Sequence, residues 1–201
     1  MINNEFYEFL LKVHSIAKIG QVYSRDPYAI ANYKEINDLT RDMLENFVNV
    51  KFNRPSMFSR DIYPTPNVSV RTVIFNELGQ VLLVREKVDG GYSLPGGWCD
   101  LYESPSEAAI KECLQEAGAD VKIVRLLGIL NRTPFKGPLN VPEYMIAFKG
   151  EIKGPFVEIG FETTDARFFD IDKLPPICPK VKVEEVLKMI NAAQTGMVMF
   201  D

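Results

Sequence analysis

Leu94-Pro95-Gly96-Gly97-Trp98-Cys99-Asp100-Leu101-Tyr102-Glu103, continued by SPSEAAIKECLQEAGA up to Ala119, is the stretch that decides the fold. A loop rich in glycine runs into a segment of strong helix formers. Ser104 or Ser106 offers an N-cap, the helix runs from about Glu107 to Ala117, and Gly118 closes it at the C′ position. Ala109, Ile110, Cys113, Leu114 and Ala117 supply its apolar side. Glu112 and Glu116 are four apart, so they share a face one turn from each other, with Gln115 beside them. Like charges at that spacing repel. They can be borne as a solvated acidic face or neutralised by a bound cation. The preceding loop can aim backbone carbonyls at the same spot, and carboxylate and carbonyl oxygens suit Mg2+ or Mn2+ rather than zinc.

The spacing is similar to the Nudix box, which reads glycine, five residues, glutamate, seven residues, then Arg-Glu-aliphatic-X-Glu-Glu-X-Gly-aliphatic. Gly97, Glu103, Glu112, Glu116 and Gly118 fall in register with it. Three departures stand out. Lys111 replaces the usual arginine, turning a fork-like contact into a point charge. Cys113 and Ala119 are small residues at aliphatic positions. Gln115 stands where the family carries a metal-binding glutamate, which bears on the number and affinity of metal ions.

Working outward, the chain changes character near residue 55. Phe6, Phe9, Leu10, Val13 and Ala17 make an amphipathic stripe ending around Gly20. Asp26-Pro27 reads as an N-cap with proline in the first turn, opening a second helix whose apolar positions, Ile36 to Phe47, carry it to about Val50. We expect an N-terminal helical domain over residues 1–52, a proline-bearing linker over 53–66, and a mixed domain over 67–201. In that last part, 68–75 and 80–85 read as a hairpin about a polar turn at 76–79. The runs 121–130 and 144–152 are rich in strand formers, 166–169 suggests a short strand, and Val183, Val186, Leu187 and Ile190 mark a final helix. The order is not a regular βα alternation, so the class is α+β rather than a doubly wound sheet.

Composition excludes several classes. Apolar residues make up 46% of the 201 residues, enough for a core, yet no run reaches the ~18 apolar residues of a membrane span. MINNEFYEFLLKVHS has no basic start and does not read as a secretory signal. Cys99, Cys113 and Cys178 form no CxxC pair and read as reduced thiols of a cytoplasmic protein. The net charge of −4 and the absence of a basic run argue against a polymeric nucleic-acid partner, though not against a single nucleotide. The one histidine, His14, lies in the first apolar stripe and reads as a packed or half-exposed helix residue.

The resemblance extends past the box. Glu162, six residues ahead of Phe168, sits where many Nudix enzymes carry a further acidic ligand or base. IAKIGQVYSRDPYAIANYKEI and FFDIDKLPPI resemble a Gram-positive subgroup with a helical extension, associated with nucleoside diphosphates linked to X. The resemblance implies an αβα sandwich with a mixed sheet, and often a homodimer. It also implies a metal-dependent pyrophosphohydrolase acting on a small-molecule nucleotide such as CDP-choline or ADP-ribose. By carry-over, Glu112 and Glu116 ligate Mg2+ or Mn2+ and Gly96 lends its carbonyl, while Glu112 or Glu162 acts as base. Glu103 and Lys111 support the site through a charge contact, with Gly97 and Gln115 as further supporting residues. Arg85 is a candidate phosphate clamp or a surface salt-bridge partner, and Trp98 a residue that stacks on a base or simply packs. Two other readings are a degenerate Nudix scaffold that binds nucleotides without turnover, and a nuclease acting on RNA ends.

Overall fold

The computed structural model describes residues 4–44, 66–132 and 143–201. The chain divides into two compact units, Met1–Pro64 and Thr65–Asp201. No helix among the described residues is long and apolar enough to cross a membrane.

The first unit holds helices α1 (Asn4–Tyr23) and α2 (Pro27–Asp42). Asp26 caps α2 by accepting the Tyr28 N–H at 3.0 Å, and Pro27 sits where its missing N–H costs nothing. Leu10, His14 and Ala17 form the buried stripe of α1. His14 is therefore interior: its Nδ1 lies 2.9 Å from Thr40 Oγ1 of α2, and burial pushes its pKa down. Helix α1 outruns its expected end at Gly20 because that glycine serves packing rather than capping. A Cβ there would stand 2.5 Å from the Tyr33 ring. The expected continuation of α2 over 45–50 and the linker up to residue 65 lie outside the described residues.

The second unit contains, in order, β1 (Asn67–Ile74), β2 (Val81–Glu86), β3 (Tyr92–Ser93), α3 (Pro105–Ala117), β4 (Val121–Asn131), β5 (Glu143–Ile152), β6 (Thr163–Phe169) and α4 (Val183–Thr195). One sheet has the order β1-β5-β4, with β1 parallel to β5 and β4 antiparallel to it. The other is antiparallel, β3-β2-β6. Side chains alternate between two buried faces. Val70, Ile74, Leu82 and Val84 pack on the α3 side, with Ala108, Ala109, Cys113 and Ala117. Val73, Val81, Leu83, Met145 and Ala147 pack on the other, with Val186, Met189 and Ile190 of α4. The class is thus α+β with a mixed sheet, in the sandwich arrangement the sequence suggested.

Two expectations need correction. The segments 68–75 and 80–85 do not form a hairpin. The chain passes from one sheet to the other between them, and only the bridge Phe75–Val81 joins their ends. The reason is that both faces of β1 are buried from Val70 to Ile74, as in a covered parallel strand, and β1 takes its long register from β5. The sixth strand begins at Thr163 rather than Ala166, and the two-residue β3 carried no signal of its own.

Helix α3 starts at Pro105, with Ser104 rather than Ser106 as N-cap. The Ser104 and Glu107 side chains exchange capping bonds with each other's backbone, at 3.3 and 2.8 Å. Gly118 ends the helix in the left-handed region at φ 63°. At the far end of the sheet a buried cluster ties three elements. Arg132 donates to Glu185 of α4 at 2.7 Å and to Glu143 of β5 at 3.3 Å, and Ser69 of β1 donates to Glu143.

Candidate active site

Residues 95–99 are held to the outer edge of β1 by a ladder of backbone bonds. Val70 N–H donates to the Gly97 carbonyl at 2.8 Å, Thr72 N–H to the Pro95 carbonyl at 2.9 Å, and Cys99 N–H to the Val68 carbonyl at 3.0 Å. The carbonyls of Pro95 and Gly97 are thus committed to β1, while that of Gly96, between them, stands outside this ladder. Only glycine fits at 96. Its φ is 148°, and a Cβ would meet the Val70 carbonyl oxygen at 2.1 Å.

Helix α3 brings its acidic face to this loop. The small residues Ala108, Ala109, Cys113 and Ala117 let it lie close to the sheets, so Glu116 is only 4% exposed. The Glu116 Oε2 accepts the Gly96 N–H at 2.7 Å. The Glu112 carboxylate lies against Gly97: a Cβ added at 97 would stand 2.7 Å from Oε1. Burial pushes the Glu116 carboxyl up to about 7; the Glu112 and Glu86 charges add to the rise, and Arg71 and the Gly96 N–H oppose it. Burial also raises Glu112, helped by Glu162 and Asp100 and opposed by Lys111 and Arg71. Two carboxylates held at some cost as anions form a site that favours a cation.

Around this pair the remaining candidates fall as follows. Lys111 reaches Glu103 at 2.7 Å and Asp100 at 3.0 Å, tying α3 to the turn that follows the loop. Glu162 is exposed at the entry to β6, and its charge acts on Glu112. Gln115 is exposed on α3, where its carbonyl accepts the Gly160 N–H at 2.6 Å. Trp98 is 39% exposed and pairs with Ser69 through the backbone. Arg85 is exposed on β2 and donates to the Gly90 carbonyl at 3.0 Å, within its own hairpin. The cation whose charge acts on both carboxylates is Arg71, which sequence reasoning passed over. Its signal was a lone arginine inside the apolar run VSVRTVIF.

The donor set fits a hard divalent cation. Among the described residues no three carboxylate, histidine or cysteine side chains converge to enclose an ion by themselves. Mg2+ does not need such a cage: it keeps several waters and is held by one or two carboxylates together with substrate phosphates. Glu112, Glu116 and the Gly96 carbonyl meet that description. The three cysteines are free, and burial raises the Cys99 thiol to about 11, which leaves it a poor nucleophile.

This geometry has relatives. Residues 65–188 match the NUDIX domain model. The YjhB protein of Bacillus subtilis, named for a provisional ADP-ribose pyrophosphatase activity, is 33% identical over 192 residues, covering 94% of this chain and 92% of its own. An ADP-ribose pyrophosphatase structure from Streptococcus suis 89-1591 is 33% identical, covers 68% of this chain and 100% of its own, and superposes with a TM-score of 0.59. A UDP-X diphosphatase structure spans 98% of both chains with a TM-score of 0.66 at 24% identity, a likeness of fold that includes the N-terminal helices. The chain belongs to the Nudix family and is a hydrolase of phosphoric anhydride bonds.

Proposed function

We propose that this enzyme hydrolyses a nucleoside diphosphate linked to X, releasing a nucleoside monophosphate and phospho-X, with ADP-ribose and CDP-choline as the leading substrates. One observation carries the reading: Glu116 bound to the Gly96 N–H, with Glu112 packed on Gly97, sets two carboxylates of one helix face against the glycine loop. The names of the Bacillus and Streptococcus relatives favour ADP-ribose.

Glu112, Glu116 and the Gly96 carbonyl are the residues that would hold Mg2+ or Mn2+. When bound, the metal supplies charge neutralisation and acidifies water. Glu112 or Glu162 takes the proton as water oxygen bonds to phosphorus and the bridging P–O bond breaks. Glu162 is solvent-exposed and so free to exchange that proton with bulk water. Lys111, held between Glu103 and Asp100, fixes the helix to the loop. Gly97 leaves room for Glu112, and Gln115 offers an amide oxygen at the edge of the same face. In this reading Trp98, on the rim of the loop, stacks on a base, and Arg85 meets a phosphate. The same reading takes the working unit as a cytoplasmic homodimer.

The test is a panel of ADP-ribose, CDP-choline, UDP-sugars and nucleoside triphosphates, each with Mg2+ and with Mn2+, and products separated by chromatography. A monophosphate product from a linked diphosphate is expected as the fastest reaction. Orthophosphate or diphosphate from triphosphates as the fastest would overturn the reading.

A further inference from the structure

Arg71 is the single charged residue of β1, set in a run whose two faces are both buried. It is 6% exposed. Its Nη1 donates to the Val70 carbonyl at 2.8 Å, its Nε is buried without a hydrogen-bond partner, and it makes no ion pair among the described residues. Burying a guanidinium with no direct ion pair is costly. The Val70 carbonyl that Arg71 holds is the one Gly96 lies against. The guanidinium therefore sits beneath the loop whose Gly96 N–H binds Glu116. Its charge reaches both Glu116 and Glu112.

We propose that Arg71 is a resident cation of the metal site, a fixed positive charge beneath the glycine loop that takes the electrostatic place of a further metal ion. Two ionised carboxylates and one guanidinium leave a single net negative charge. Gln115, neutral where the family has a glutamate, adds none. Such a site holds fewer divalent ions before substrate arrives than one with three carboxylates and an apolar residue at 71. Arg71 is thus a positioning residue: it acts through the carboxylates and the metal, not on the reacting atoms. The inference rests on the assignment of Glu112 and Glu116 as metal ligands.

Mn2+ binding to the full-length protein without substrate, followed by electron paramagnetic resonance and calorimetry at pH 8.5, tests this by its sign. Arg71→Met removes the charge while filling similar space with apolar atoms, a change that buried ion sites often tolerate. Arg71→Gln is the neutral polar alternative should the Met variant misfold. Both should bind Mn2+ on the order of tenfold more tightly, or take up an additional ion, because a repelling charge is gone. Arg71→Lys, which keeps the charge, should stay close to the parent protein. Equal or weaker Mn2+ binding by folded Arg71→Met or Arg71→Gln would overturn the proposal, since loss of a merely structural residue disorders the ligands. Glu116→Gln separates the two levels of the argument. If the parent binds no Mn2+, or Glu116→Gln binds it equally well, the metal-site reading itself fails. If Glu116→Gln loses Mn2+ while the neutral variants at 71 gain nothing, only the role of Arg71 fails.

Discussion

Substituting alanine at Gly96 and at Gly97, neighbours in the chain, should break two different things. At 96 the new methyl would lie 2.1 Å from the Val70 carbonyl oxygen and 2.9 Å from the Arg71 Cα, both backbone atoms of a covered strand, at a φ of 148°. Neither the strand nor the dihedral can yield cheaply. Strain at such a dihedral costs about 1–3 kcal/mol, and overpacking about 1–3 kcal/mol more. For a domain of this size that lowers the melting temperature by roughly 6–18 °C. At 97 the methyl would instead meet the Glu112 carboxylate, 2.7 Å from Oε1 and 2.9 Å from Cδ. That is the far end of a flexible side chain, and swinging it aside costs only about 1 kcal/mol. The carboxylate is nonetheless displaced by something near an ångström, enough to slow catalysis by about a hundredfold. Melting curves and the Mn2+ dependence of monophosphate release from ADP-ribose separate the two. Gly96→Ala should melt low, whereas Gly97→Ala should melt near the parent and need more Mn2+. A Gly97→Ala protein with parental rate and Mn2+ half-saturation would refute the placement of Glu112 against the loop.

Glu112→Gln and Glu116→Gln should each reduce turnover by about two orders of magnitude or more while the fold persists; a parental rate in either variant, with metal still required, removes that residue from the site. The pH dependence of stability has a definite sign. Because the Glu116 carboxyl rises from 4.5 to about 7 on folding, chiefly through burial, its stabilising share is fully present below the unfolded pKa and is lost as pH climbs through about 7. Metal-free protein should accordingly melt higher at pH 5 than at pH 8, by up to about 3 kcal/mol from this group, and Glu116→Gln should remove that difference. Parallel melting curves for parent and variant across this range would contradict the burial of the carboxylate. Gln115→Glu adds a negative charge to the same helix face and should shift the Mg2+ activation curve to lower concentration, without necessarily raising the maximal rate. Superimposable curves would mean that the Gln115 side chain points away from the metal.

Much of the site was legible because its parts lie within one short stretch. Helix periodicity puts Glu112 and Glu116 on one face whatever the rest of the chain does, and Ser104 and Gly118 bound the helix by capping chemistry that is local. Strands were harder. Residues 68–75 and 80–85 look like a hairpin in a linear reading, because polar Asn76 to Gly79 separate two apolar runs. The structure turns there too, with the Asn76 Oδ1 accepting the Leu78 and Gln80 N–H groups, yet the strands go to different sheets. What decides between the outcomes is the parallel partner β5, some seventy residues away, and no local pattern announces a parallel pairing.

The sequence by itself determined the loop-then-helix unit, its two carboxylates, the closing glycine and the family, since each depends on neighbours in the chain or on spacing. Tertiary structure decided which charges meet. Lys111 meets Asp100 as well as the Glu103 expected from the family pattern. Arg71, on a strand more than twenty residues upstream, comes within electrostatic reach of both carboxylates because the loop pairs along the edge of β1. Arg85, a candidate phosphate clamp or surface salt-bridge partner from its place at a strand end, donates to the Gly90 carbonyl within its own hairpin. Electrostatic partners are set by distance in space and by burial, and neither is a property of position along the chain.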